Sequence, residues 1–345
     1  MTKIPPKSHE SHVDVKDLKW NTIYFFLEDN KTIAATDSLK LVQHFSPLVS
    51  EKINNDTLSG VFYYPADSSN LPLFILVSSG SGGASYQARQ SAKIIADHGF
   101  ASLVLFYSGT KLLPQHLEKI PLEYFFNAFD WIKKKPMIES SKIVLCGGSK
   151  GGELVLLLAS MRPDIKAVIA VEPSCVLWQG MPYNPWTVFF PRPAWLYKGK
   201  ALPYLDHKLD LSIMMKFGTG ARQIELCRLY SEVLDDKKNV EKALIEVENI
   251  NGPVLLIAGK DQQVWPAYRM CRMIEQRLDS LDFNYPVKGL YYENAGHNVT
   301  APDLPPTIDY KYEQIKTGGT HAGNAAAQQH SWNEVIKFLK TCFKK

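Results

Sequence analysis

From Ser59 to the C-terminus the chain alternates between two hydrophobic periods. Strand-length apolar runs, GVFYYP, LPLFILV, ASLVLF, KIVLC, AVIAVE and PVLLIAG, are separated by turn residues or by segments of helical period. Between LPLFILV and ASLVLF a Gly/Ser loop, SSGSGG, precedes YQARQSAKIIADHG, where Ala88, Ala92 and Ile95 share one face and Gly99 stops the helix. Strand, loop, helix and strand in that order make a βαβ unit, which sets the two strands parallel. PLEYFFNAFDWI starts a helix at Pro121 and spaces Leu122, Phe125, Phe126, Phe129 and Ile132 for burial. ELVLLLAS is apolar nearly all round, as a helix in the middle of a core must be. RQIELCRLYSEVL reads as a helix, and another starts at Pro266 with Met270, Ile274 and Leu278 inward. SWNEVIKFLKTCF closes the chain as a helix with a Ser331/Glu334 capping box and a stripe of Trp332, Val335, Ile336, Leu339 and Cys342. The expected fold class is α/β, with a mostly parallel central sheet and helices on both faces.

The rhythm is absent in two places. Residues 1–57 form a short N-terminal extension, polar at first, in which WNTIYFFL (Trp20–Leu27) has the pattern of one strand; residues 58–345 form the α/β domain. After the strand ending near Glu172, residues 175–220 are an aromatic- and proline-rich insert too irregular for a sheet. Two readings stay open for it: a loop-rich insert with its own small core, or a lid or wall whose Trp178, Trp186, Phe189 and Trp195 bind an apolar substrate.

Composition narrows the classes. A net charge of +4 with Lys and Arg dispersed leaves no footprint for nucleic acid. There is no apolar leader region and no run of membrane-span length, so the expectation is a cytoplasmic protein without a membrane span. Five widely spaced cysteines, an odd number, read as buried free thiols rather than disulfides or a metal site.

The chemistry centres on Gly147-Gly148-Ser149-Lys150-Gly151, between KIVLC and ELVLLLAS. G-x-S-x-G is the strained strand-to-helix turn that lifts a serine oxygen clear of a sheet, with small residues where the strand and helix leave no room. Ser149 is the candidate nucleophile. The N–H of Lys150, at a helix N-terminus, and those of Ser81 and Gly82 in the SSGSGG loop are the candidate oxyanion donors. The SSGSGG loop lacks both the P-loop and the dinucleotide pattern, and the reaction needs no cofactor and no metal. Asp261, in the Gly-Lys-Asp turn after PVLLIAG, and His297, in Ala-Gly-His after LYYEN, also follow strands. Nucleophile, acid and base in this chain order is the order of α/β-hydrolases. His297 is then the base and Asp261 the acid that fixes its tautomer. Glu172, at another strand end, is the rival acid, and His321 in GGTHAGN the rival base.

Several blocks in order extend this. GVFYYP with the SGSGG loop, IPLEYFFNAFDWI, GGSKGGELVLLLAS, YKGKALPYL, AGKDQQVW, ENAGH and HAGNAAAQQHSW resemble the acyl-CoA thioesterase and bile acid-CoA:amino acid N-acyltransferase C-terminal family, within the dienelactone-hydrolase-like α/β-hydrolases, from about His44 onward. The resemblance implies a triad of Ser149, Asp261 and His297 acting on small acyl thioesters such as acyl-CoA. Conjugating members of that family use cysteine as nucleophile, so serine implies the hydrolytic branch. Esterase activity of the dienelactone hydrolase kind and acyl transfer to an amino acid are the alternatives. The chain departs from the family in two ways. The segment before the sheet is too short for the β-sandwich of about 100 residues that usually precedes this domain, and the aromatic insert before YKGKALPYL looks longer than the family pattern.

Overall fold

A computed structural model describes residues 21–29, 32–41, 47–80, 82, 85–181, 191–207, 211–299 and 314–343. The chain divides into two compact units, Met1–Ser46 and Pro47–Lys345. In the first, β1 (Asn21–Asp29) and β2 (Thr32–Leu41) pair antiparallel, so WNTIYFFL does contribute a strand.

The second unit is built on an eight-stranded sheet. Its strands are β3 (Leu48–Asn54), β4 (Ser59–Pro65), β5 (Leu71–Val77), β6 (Ala101–Leu105), β8 (Ile138–Gly148), β9 (Ala167–Val171), β12 (Val254–Gly259) and β13 (Val287–Tyr292). A smaller three-stranded sheet joins β7 (Ile120–Pro121), β10 (Trp195–Tyr197) and β11 (Lys200–Ala201). Across the large sheet the order is β13-β12-β9-β8-β5-β6-β4-β3. All neighbours from β6 to β13 run parallel, and β4 pairs antiparallel with both β6 and β3. The helices are α1 (Tyr86–Asp97), α2 (Leu122–Ile132), α3 (Lys150–Met161), α4 (Leu211–Gly218), α5 (Cys227–Val233), α6 (Lys237–Ala243), α7 (Ala267–Ser280) and α8 (His321–Cys342).

The inner strands β5, β6, β8, β9 and β12 are buried on both faces, which is why they read as continuous apolar runs. Helix α3 is buried from Lys150 through Ala159. The apolar core lies on both sides of the sheet: Leu73, Ile75, Leu145 and Leu256 face one cluster, Phe74, Val144, Ile169 and Ile257 the other.

Three elements differ from expectation. The sheet begins with β3, which precedes GVFYYP; LVSEKIN is an edge strand whose polar positions mostly face solvent, so it carries no apolar run. The last helix starts at His321 with Thr320 as its N-cap, and Ser331 lies within it, donating to the Val299 carbonyl instead of capping. Of RQIELCRLYSEVL only Cys227–Val233 is helical, because the N–H groups of Ile224 and Leu226 are drawn to the carbonyls of Gln314 and Gln263.

The described parts of the insert divide between two cores: Ile213, with Phe217 packed against it, joins Ile224, Leu226 and Leu229 in a small separate cluster. Cys175, Val176, Leu177, Trp178, Ala194, Trp195 and Leu205 belong to the main cluster. All five cysteines are free, with Cys146, Cys175 and Cys271 buried. No helix among the described residues is long and apolar enough to cross a membrane, and none of the described residues form a metal-ligating cluster.

Candidate active site

Ser149 sits where β8 ends and α3 begins, with φ 56° and ψ −122°, a conformation that L-residues avoid. The glycines around it are steric requirements. A Cβ at Gly147 would lie 2.2 Å from the Gly151 carbonyl oxygen, and one at Gly151 would lie 2.3 Å from that of Ser78. The Ser149 N–H donates to the Val171 carbonyl at 2.8 Å, and its own carbonyl accepts from Gly152 and Glu153, so the turn is locked from both sides. Ser149 and His297 both line a cavity of about 580 Å³, together with Ser78, Ser79, Gly80 and Met181. A larger groove of about 760 Å³, between Tyr204 and Glu232, holds none of the predicted residues.

The loop carrying His297 is tied down by groups that sequence reasoning did not assign. Buried Asn324 on α8 accepts the Gly296 N–H at 2.8 Å, and the Thr317 carbonyl accepts the His297 N–H at 2.9 Å. Gly296 packs so closely on Gly318 that a Cβ would be 2.1 Å from its carbonyl oxygen. Rival base His321 is exposed at the start of α8.

No hydrogen bond joins the Asp261 side chain to His297 among the described residues. Asp261 is exposed; its N–H goes to the Ala295 carbonyl at 3.0 Å and its own carbonyl accepts from Gly319 at 3.1 Å. The next residue turns inward instead. Buried Gln262 places Oε1 2.9 Å from His297 Nδ1 and accepts the Trp265 N–H on the same oxygen, while its Nε2 donates to Glu172. The other Glu172 oxygen accepts the Gly259 N–H at 2.7 Å. The rival acid therefore stands in this network, one residue removed from the imidazole. Gln Oε1 can only accept, so this contact is a hydrogen bond in the His297 tautomer protonated on Nδ1, in which Nε2 is the basic nitrogen. Burial pushes the His297 imidazole down to about 4, and burial pushes the Glu172 carboxyl well above its ordinary value against the two hydrogen bonds it accepts.

Of the expected oxyanion donors, Lys150 is the first residue of α3, whose leading N–H groups lack intrahelical acceptors. Gly82 is spent elsewhere: its N–H closes a turn onto the Ser79 carbonyl at 2.8 Å, and its φ of 56° and the Ser108 side chain, 1.9 Å from where a Cβ would sit, explain the glycine. Ser81 lies outside the described residues. The stretch that lines the cavity is Ser78–Gly80, held by the Tyr107 hydroxyl, which donates to the carbonyls of Ser78 and Ser79.

The described tryptophans of the insert, Trp178 and Trp195, turn inward as well. Trp178 donates its indole N–H to Ser174 and stacks edge-on against Tyr230. Trp195 donates to Glu153 at 2.7 Å. Both are 2% exposed or less and line core rather than cavity. Trp186 and Phe189 lie outside the described residues. Among the described residues of the insert, Met181 lines the cavity, against Gly80, and its apolar side chain gave no signal that set it apart from its neighbours.

The chain is similar in sequence and in fold to known proteins. The chain is 27% identical over 294 residues to human acyl-coenzyme A thioesterase 6, covering 84% of this chain and 64% of that one. It is 25% identical over 325 residues to mouse bile acid-CoA:amino acid N-acyltransferase, covering 92% and 71%. The chain thus spans less than two thirds of the thioesterase's length. Two solved structures share the fold: a dienelactone hydrolase-like promiscuous phosphotriesterase from metagenomic libraries (TM-score 0.53, 16% identity, 86% of this chain and 99% of that one) and an alpha/beta hydrolase from a deep-sea metagenome (TM-score 0.52, 15% identity, 86% and 99%). Residues 120–345, well over half the chain, match the family described as BAAT / acyl-CoA thioester hydrolase C terminal, and the chain belongs to that family.

Proposed function

We propose that the protein hydrolyses acyl thioesters, with acyl-CoA as the substrate class, through an acyl-enzyme on Ser149. The observation that carries this is a strained Ser149 at the head of α3 sharing one cavity with a His297 whose Nδ1 is already engaged. His297 Nε2 takes the Ser149 proton as Oγ attacks the thioester carbonyl, and the N–H of Lys150, with the Ser79–Gly80 stretch, holds the oxyanion. The thiol leaves with that proton; water, deprotonated by the same nitrogen, releases the acid. Membership of a family that contains thioester hydrolases supports the substrate class, and serine rather than cysteine at 149 favours water as acceptor over an amine. On an activated thioester the protein should show a burst of thiol release equal to the enzyme present. Ser149→Ala should lower kcat on the order of 10⁴-fold or more. Undiminished turnover by Ser149→Ala would rule the mechanism out.

A further inference from the structure

Where a serine hydrolase needs a carboxylate against its histidine, the described residues place an amide against His297 and a carboxylate behind it. From this geometry we infer that Glu172 acts through Gln262 as the positioning residue that fixes the tautomer of His297 and stabilises its charged form. The inference rests on the Ser149–His297 reading and deepens it.

Three observations carry it. First, Glu172 is 1% exposed and both its carboxylate oxygens accept hydrogen bonds, one from the Gly259 N–H and one from Gln262 Nε2, the pattern of an ionised group. Second, the Gln262 amide has one workable orientation. Its NH₂ must face the carboxylate and its Oε1 then receives both the Trp265 N–H and His297 Nδ1. Third, Glu172 has φ 47°, left-handed for a residue with a side chain, while its N–H is bonded to the Ile257 carbonyl and its carbonyl to the Trp265 indole. Such strain persists where the surroundings over-determine a position, as at functional sites.

The proton inventory is simple. The Ser149 hydroxyl proton moves to His297 Nε2, the Nδ1 proton stays on the ring and in its bond to Gln262, and Glu172 keeps its charge throughout. The positive imidazolium is offset by a negative carboxylate one amide away, through hydrogen bonds that polarise one another. An amide alone does not serve: turned the other way it presents N–H to Nδ1, forces the proton to Nε2 and removes the base, the effect known from Asp-to-Asn exchange in a triad.

Glu172→Gln breaks the orientation. The Gly259 N–H holds one face of the new amide, its NH₂ meets that of Gln262, and Gln262 must turn. The expected result is a fall in kcat on the order of 100-fold or more with KM changed by less than about threefold. Glu172→Gln combined with Gln262→Glu exchanges the two side chains, keeps every hydrogen bond and puts a carboxylate directly on Nδ1; it should recover kcat to within about tenfold of the parent. Asp261→Asn should keep parent activity. Selective ¹⁵N-histidine spectra add a readout independent of turnover: Nδ1 protonated in the parent protein and in Asp261→Asn at neutral pH, Nε2 protonated in Glu172→Gln. If Glu172→Gln folds poorly, a folded exchange variant with activity supports the relay and a folded inactive one overturns it. Full kcat in Glu172→Gln, loss of activity in Asp261→Asn, or a parent His297 protonated on Nε2 would each overturn it. A parent that neither labels with a fluorophosphonate nor needs Ser149 would instead refute the reading beneath it.

Discussion

At the scale of single residues, adjacent positions behave very differently. The Ser149 turn is legible in the sequence because its constraint is local: two glycines are demanded by carbonyls 2.2 and 2.3 Å from where a Cβ would be. His297 is legible because a strand hands it directly to the loop. Asp261 and Gln262 are not distinguishable in the same way, since which one turns inward is decided by bonds to Ala295 and Gly319, residues distant in sequence. A carboxylate after a strand is the natural candidate, and the structure gives the place beside the imidazole to its amide neighbour. The relay has a pH signature. His297 must be neutral and so is competent above about 4, whereas Glu172, raised by burial, must be ionised. The titratable groups that feel Glu172 from the helices around it, Cys271 on α7 and Cys227 on α5, have pKa values raised above the ordinary thiol value and stay neutral through this range. Activity should therefore be lost, as pH falls, at a pH above the ordinary carboxyl value and above that of His297. A kcat/KM profile whose acid limb lies at about 4 would show the histidine alone and speak against a role for Glu172's charge.

At the scale of elements, the inner strands and α3 were readable because full burial makes them continuous apolar runs. Edge strand β3 and helix α6 were not, because their faces are mostly polar. The insert is the instructive case: aromatic content shows that it packs, but not against what. Trp178 and Trp195 close over the Lys150–Glu153 ion pair at the start of α3, where Glu153 accepts from Lys150 Nζ at 2.6 Å, Trp195 Nε1 at 2.7 Å and the Trp178 N–H at 3.3 Å. The pair is essentially inaccessible to solvent. The insert is thereby bolted to the helix that carries the nucleophile. Glu153→Ala strands a buried lysine and two N–H groups, and should cost about 3–5 kcal/mol. Chemical denaturation measures this; a loss below about 1 kcal/mol would mean that the pair is solvated and the insert not anchored there.

At the scale of the whole molecule, the α/β-hydrolase fold followed from the order of the elements, and the position of the cavity from the ends of β5, β8 and β13. The eight-stranded sheet, the apolar clusters and the residues lining the Ser149 cavity all fall within Pro47–Lys345. A protein comprising residues 47–345 should fold cooperatively and keep fluorophosphonate reactivity at Ser149; an unfolded or unreactive product would show that Met1–Ser46 completes the domain. The central claim concerns chemistry at Ser149, and intact-protein mass spectrometry during turnover of an acyl-CoA thioester reads it most directly. The expected result is a transient acyl adduct, mapped to Ser149, that decays to free acid at a rate unchanged by added glycine. Turnover with no adduct on Ser149, or an N-acyl amino acid as product, would contradict it.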